Sequence, residues 1–340
     1  MYLRTTHKSA NWKTVKCVFI LTIIIAFSLS VTSQIANADG HLKKRQFLSV
    51  GTAPAGGAFS VVGGGIAQVV DKNAGTLNWK VSAEATKGTQ ENIRRLVRSE
   101  LEFALANAAI SYFAVRGEGA WKKKHAINTV MTLAPNVALF ITPKSSGVKK
   151  IADLKGKRVV VGPAGAGFKY FLEPILKAHG VTYKDFTPRY NTQMGAVDML
   201  ADGSAAAAFL GGAVPTASIA QACSSQDIFF IPYEAEAKQH LFKTYPFFNA
   251  ITIPAEKYPK QDKPFAGMNV GAMHLITSAS LDEETVYQFT KILYENRAQV
   301  VDIHAAGKAI NPKNIVKDTG TPFHPGAIRY YKEIGIWPEE

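Results

Sequence analysis

The stretch Phe47 to Gly65, FLSVGTAPAGGAFSVVGGG, constrains this chain more than any other. Phe47-Leu48-Ser49-Val50 is a short apolar run that reads as a strand, and Gly51 to Gly57 is a loop of turn-forming residues. From Phe59 the apolar period changes: Phe59, Val62, Ile66, Val69 and Val70 recur at spacings of three and four, which makes a helix. A strand, a Gly-rich loop and a helix in that order leave backbone N–H groups unpaired at the helix start. Those donors and the helix dipole suit a carboxylate or phosphate. The same grammar returns about a hundred residues later, as a strand over Arg158–Val161, a loop over Gly162–Gly167 and a helix over Phe168–His179. One such unit in each half predicts two lobes facing each other across a ligand cleft.

Between and after these units, strand and helix patterns alternate. Trp79–Ala85 alternates like a strand, Glu91–Ser99 carries Ile93, Leu96 and Val97 on one helix face, and Leu101–Ala106 is a second short strand. That order predicts an α/β class in which each lobe is a mainly parallel sheet flanked by helices. In such sheets ligands sit beyond the carboxyl ends of the strands, where Thr52, Lys87 and Asn107 fall. The strand Ala138–Thr142 ends at Pro143, and a new unit begins at Ile151, so the first crossing between lobes is placed there. The chain reads as returning near Phe247–Ile253. The expected division is residues 1–38 as a secretory leader, 39–143 with 251–340 as the first lobe, and 144–250 as the second. A long helix over Leu281–Ala305, acidic at its start, is expected to cap the first lobe.

The leader reading rests on Arg4, Lys8, Lys13 and Lys16, the apolar run Val18–Val31 and the A-x-A site Ala36-Asn37-Ala38. Cleavage after Ala38 would deliver a periplasmic protein and lower the formal charge from +13 to +9. The remaining Lys and Arg are interleaved with Asp and Glu, so no arm or stripe points to nucleic acid. The mature chain keeps one cysteine, Cys223, and can form no internal disulfide.

Several chemistries are missing from the sequence. It has no zinc-ligand spacing, no H-E-x-x-H and no G-x-S-x-G elbow, so no metal, cofactor or nucleophile is expected. Gly162 to Lys169 approaches a phosphate loop, but Phe168 stands where the lysine belongs and no Ser or Thr follows Lys169. His324 reads as a residue that packs the C-terminal tail.

An ordered set of motifs then points to a family. These are Gly51-Thr52 through Gly56-Gly57, Gly88-x-x-Glu91-Asn92-Ile93-Arg94, Ile151 to Lys157, Gly162-Pro163-x-Gly165-x-Gly167, Val214-Pro215-Thr216 and His324-Pro325-Gly326-Ala327. On these the mature chain resembles the TAXI solute receptors of tripartite ATP-independent periplasmic (TRAP) transporters. The resemblance implies a type II, Venus-flytrap periplasmic binding protein that captures a small organic acid or amino acid and delivers it to TRAP membrane permease subunits. A receptor for an ATP-driven importer is the alternative reading, and an exported enzyme on the same scaffold a further one.

The ligand-binding residues expected on this basis are Thr52, Ala55, Gly56, Phe59, Ser60, Lys87 and Asn107 on the first lobe. On the second they are Ala166, Gly167, Phe168, Gly212 and Pro215. Phe59-Ser60 replaces the family's usual Tyr pair, Ala166 and Phe168 replace hydroxyl residues, and Lys87 replaces a glycine. The ligand expected from these departures has an anionic head and a body less polar than glutamate.

Overall fold

The computed structural model describes Met1, Tyr2, residues 46–54 and residues 57–338. The leader, its cleavage site and the loop residues Ala55 and Gly56 lie outside the described residues. Gln46–Glu340 forms one compact unit, and the description below concerns that unit. Among the described residues no helix is long and apolar enough to cross a membrane.

Two sheets organise the unit. The first has the order β2 (Trp79–Glu84), β1 (Gln46–Gly51), β3 (Phe103–Asn107), β12 (Met273–Ser278) and β4 (Ile127–Thr132). The second has the order β10 (Phe248–Ile253), β11 (Phe265–Val270), β5 (Val137–Pro143), β8 (Ala207–Gly212), β6 (Arg158–Val160) and β7 (Thr187–Arg189), with β9 (Ile228–Ile231) paired to β5. Helices α1 (Ala58–Asn73), α2 (Thr89–Val97) and α3 (Ala108–Arg116) belong to the first lobe. The second lobe carries α4 (Lys169–Ala178), α5 (Gln193–Ala201), α6 (Ala217–Ser225) and α7 (Ala235–Thr244). The tail returns through α8 (Glu283–Glu295), α9 (Arg297–Ile303), α10 (Pro312–Ile315) and α11 (Pro325–Glu333). Helix α1 buries Val62, Ile66, Val69 and Val70, the stripe its sequence spacing marks.

The two-lobed α/β architecture matches the sequence expectation, with three differences. First, each sheet is mixed rather than mainly parallel. β1 runs parallel to β2 and β3, but β12 is antiparallel to β3 and β4. In the second sheet β6 is parallel to β7 and β8, whereas β5 is antiparallel to β8, β9 and β11, and β10 to β11. Second, the crossings lie elsewhere. Strand β5 joins the second sheet, so the first crossing is at residues 133–136 rather than after Pro143. Strands β10 and β11 also join the second sheet, so the return falls at Gly271 and Ala272 rather than near 251. An apolar run such as β5, buried along almost its whole length, states that it is a central strand but not which neighbour it pairs with. Third, the expected long helix is two helices, α8 and α9, which meet at Asn296.

The two crossings run side by side. Leu133 N–H donates to the Met273 carbonyl at 2.8 Å, Met273 N–H to the Ala134 carbonyl at 2.9 Å and Val270 N–H to the Asn136 carbonyl at 2.9 Å. Gly271 turns at φ +106, where a Cβ would stand 2.6 Å from Asn107 Oδ1 and 2.7 Å from the Ala109 nitrogen. A side chain has neither the conformation nor the room there. The lobes also share an aromatic contact: Trp121 of the first lobe stacks on Tyr170 of the second at 5.7 Å, and Phe113 packs on Tyr170 and Phe247, each at 5.8 Å.

Candidate functional site

Strands β1, β2 and β3 all end at the same edge of the first sheet, and the loops that follow form one wall of a cavity of about 200 Å³ between the lobes. The opposite wall comes from the loop after β6, the start of α5 and the end of β8. Of the residues expected from the sequence, Phe59, Lys87, Asn107, Ala166 and Phe168 line this cavity.

The others sit differently. Thr52 is buried beneath the wall: its N–H and its hydroxyl both donate to the Glu84 carbonyl at 2.9 Å, and its own carbonyl accepts from Asn92 Nδ2 and Thr86 Oγ1. That hydroxyl locks β1 to β2. Ser60 lies one residue along α1, half-buried, outside the cavity lining. Gly167 faces the seam between the lobes and an outer groove. Gly212 is buried beside the cavity, close to Ala58 and Thr216, and Pro215 is exposed away from it.

Asn107 lines the cavity, yet its side chain is spent inside the protein. Oδ1 accepts from Ala109 N–H at 2.9 Å and Ile110 N–H at 3.4 Å, capping α3, while Nδ2 donates to the Gly271 carbonyl at 2.8 Å. Asn107 therefore ties the ligand-facing loop to the second crossing. Gln193 on the other wall is also occupied: Oε1 accepts from Gly211 N–H, Nε2 donates to the Gly211 carbonyl, and Ser218 donates to Oε1.

Two polar contributors stand out among the lining residues that the sequence reading did not single out. Asn136 is 8% exposed and opens onto the cavity from the first crossing; among the described residues its carboxamide has no hydrogen-bond partner. The start of α5, at Thr192, Gln193 and Met194, faces it from the second lobe. Thr192 accepts from Gly195 N–H and is the N-cap, a signal present in the sequence as Thr ahead of a helical stretch. Nothing in the sequence marks Asn136, because its position depends on where the chain crosses between sheets.

The electrostatics of the cavity are one-sided. Among its described lining residues Lys87 is the one charged group, and it is exposed at the rim. Helix α1 starts at Gly57 with no side-chain cap and no acid in its first turn, and α5 also has no acid in its first turn. Two helix starts, one per lobe, thus present positive dipole ends to a space free of carboxylates.

A hydroxyl–imidazole pair lies elsewhere. Ser111 Oγ is 2.8 Å from His274 Nε2, but both residues are fully buried and the other ring nitrogen faces Thr129, not an acid. Burial pushes the His274 imidazole down to about 3. This is a neutral core contact sealed from the cleft.

Two lobes joined by paired crossings, with a polar-rimmed cavity at the strand ends between them, give the two-lobed α/β fold of periplasmic binding proteins. The chain belongs to the NMT1-like family, whose model matches residues 50–335. Its fold is similar to that of PhnD1 from Prochlorococcus marinus in complex with methylphosphonate, with 11% identity over 85% of this chain and 96% of that one and a TM-score of 0.52. It is also similar to the binding-protein component of an ABC phosphonate transporter from Pseudomonas aeruginosa, with 12% identity over 77% and 79% of the two chains and a TM-score of 0.51. A protein from Bordetella bronchiseptica RB50 matches with 14% identity over 87% and 91% and a TM-score of 0.52.

Proposed function

We propose that this protein is an extracytoplasmic receptor that closes its two lobes on a small organic anion, releases it unchanged and hands it to a membrane importer. One observation carries the reading: the inter-lobe cavity joins two opposed helix starts with Lys87 and the unpartnered Asn136 carboxamide, and no described carboxylate lines it. Backbone donors of this kind recognise carboxylate, sulfonate and phosphonate alike.

The importer reading favoured here is an ATP-driven one. A fold relative described as the binding component of an ABC phosphonate transporter supports it. The TRAP reading keeps the support of the ordered motifs set out above. Uptake by cells carrying the receptor separates the two: loss on ATP depletion supports the first, and loss on collapse of an ion gradient supports the second.

The anion reading is tested by a thermal-shift panel of carboxylates, sulfonates and phosphonates. A true ligand at a hundredfold over its Kd adds about 2.7 kcal/mol to the folded state, and it should be recovered chemically intact. Stabilisation by neutral sugars or cations, with none by any anion, refutes the proposal.

A further inference from the structure

The space between the lobes continues beyond Phe168. On the far side of that ring a groove of about 710 Å³ runs along one face of α4, past Tyr170, Glu173 and Lys177. Groove and cavity share Pro163 and Phe168 as walls. The Phe168 ring packs against the Gly162 backbone and 5.1 Å from Phe171, so it stands as a partition one ring thick. The rest of the partition is the seam between the lobes, where Gly88 approaches Ala166 and Gln90 Nε2 donates to the Tyr170 hydroxyl at 3.2 Å. Because the wall common to both hollows is Phe168, a turn of that one ring, with the seam still closed, would make them one trough.

The volumes and the lining bear on what such a trough holds. The inner cavity, at about 200 Å³, is below the roughly 300–1,000 Å³ usual for a ligand site, whereas the two hollows together fall within it. The groove is rich in rings: Phe113, Tyr170, Tyr183, Tyr190 and Tyr245 line it with Phe168. Tyr190 is left 57% exposed at its end. Of its three charged residues, Lys169 lies 3.8 Å from Glu173 and 5.5 Å from the Tyr183 ring centre, and Lys177 is exposed, so the rings outnumber the charges in the lining. The groove therefore suits an apolar or aromatic body rather than a second anionic head.

We propose that this groove is the second half of the ligand site and that the ligand is an elongated organic anion. Its head lies between the starts of α1 and α5, and its aromatic or apolar body passes Phe168 and lies along α4. The proposal rests on the reading of the cleft as an anion site.

Calorimetry with two matched series tests it. Acetate, methanesulfonate and methylphosphonate serve as head-only probes; 4-phenylbutanoate, 3-phenylpropanesulfonate and 3-phenylpropylphosphonate carry the same heads with a ring. The expected result is that, for at least one head group, the long probe binds about tenfold tighter or more than its short partner. Tyr190→Ala and Tyr183→Ala should each weaken the long probe about two- to tenfold and leave the short one unchanged. Tyr190 is exposed enough for its variant to keep the fold. Short probes that bind as tightly as long ones overturn this inference and leave the anion site standing. A long-probe advantage untouched by both tyrosine variants also overturns it, because the body then lies elsewhere. Failure of every probe, short and long, overturns the anion site and this inference together.

Discussion

Gly167→Ala separates the cost of a backbone conformation from the cost of closing the lobes. Gly167 has φ +92, and a Cβ there would stand 2.8 Å from Ile110 Cδ1 and 3.2 Å from Gln90 Cγ, both on the opposite lobe. The first cost is local: holding a non-glycine residue in that region is worth about 1–3 kcal/mol, and the second lobe bears it in every arrangement. The second cost arises across the seam and exists only while the lobes are together. Ile110 is 1% exposed and lines the inter-lobe cavity, so a displaced Cδ1 moves into ligand space, and overpacking of this size costs about 1–3 kcal/mol. Binding that requires closure should lose that second amount, about 5–150-fold in affinity. Ile110→Val removes the Cδ1 atom in question. The double variant, compared with Ile110→Val alone, should recover much of the affinity while keeping the local loss of stability. Urea unfolding reads the first cost, and calorimetry with the anion giving the largest thermal shift reads the second. If Gly167→Ala lowers stability but leaves affinity unchanged, or if Ile110→Val gives no recovery, the seam is not part of the ligand-bound state and the reasoning fails.

Lys87→Ala should weaken anion binding about ten- to a hundredfold, the usual consequence of losing a charge-assisted bond; calorimetry reads it, and an unchanged Kd places Lys87 outside the site. Asn136→Asp keeps the side-chain shape but puts a carboxylate into the cavity, so anion affinity should fall by about tenfold or more in calorimetry, and an unpaired charge at a site 8% exposed should also lower thermal stability without ligand. Stability should decline in mild acid. Burial holds the His274 imidazole at about 3 against about 6.5 when unfolded, so the unfolded chain binds the extra proton. The contribution is whole above pH about 6.5 and is lost as pH falls toward 3, with about 2 kcal/mol already lost at pH 5. Burial depresses His125, His179 and His324 in the same direction, and urea unfolding at pH 7 and pH 5 checks the sign. Burial also pushes the Cys223 thiol up to about 11, so it should resist thiol reagents in the native protein and react once the chain is unfolded.

Much of this architecture is legible because it is local. The period change at Phe59 gives α1, the Gly-rich turns give the loops beyond β1 and β6, and the alternation of strand and helix gives the α/β class. His324 likewise sits where its sequence setting suggests: it caps α11 through Nδ1 and contacts the Leu281 carbonyl through Nε2. The unread features depend on contacts distant in sequence. Strand β5 is an apolar run in either lobe, and only its pairing with β8 and β9 assigns it to the second sheet. The roles of polar residues at the cleft were harder still. Thr52 and Asn107 occupy the expected strand ends, but their hydrogen bonds go inward to Glu84, Ala109 and Gly271. Sequence position shows which residue stands at a sheet edge. It does not show whether a neighbouring backbone has already taken its donors and acceptors.

That distribution of hydrogen bonds bears on how binding could move the lobes. On the anion-receptor reading, Thr52, Asn107 and Gln193 are bonded within their own walls, so ligand recognition falls to main-chain donors at two helix starts, to Lys87 and to Asn136. The helix starts belong to different lobes, so an anion bridging them gains both sets of bonds only when the lobes are together; the energy that favours the closed form is its differential contact with that form. Asn136 adds a second route. Its carboxamide faces the cavity, while its N–H donates to Asn269 Oδ1 at 3.0 Å and its carbonyl accepts from Val270 N–H at 2.9 Å. A ligand that bonds this side chain therefore acts directly on the point where the first crossing is fastened to the strand leading into the second. Asn107 fastens the same region from the other wall, through the Gly271 carbonyl. On that reading the cavity and the hinge share residues, and closure requires no relay through the cores of the lobes.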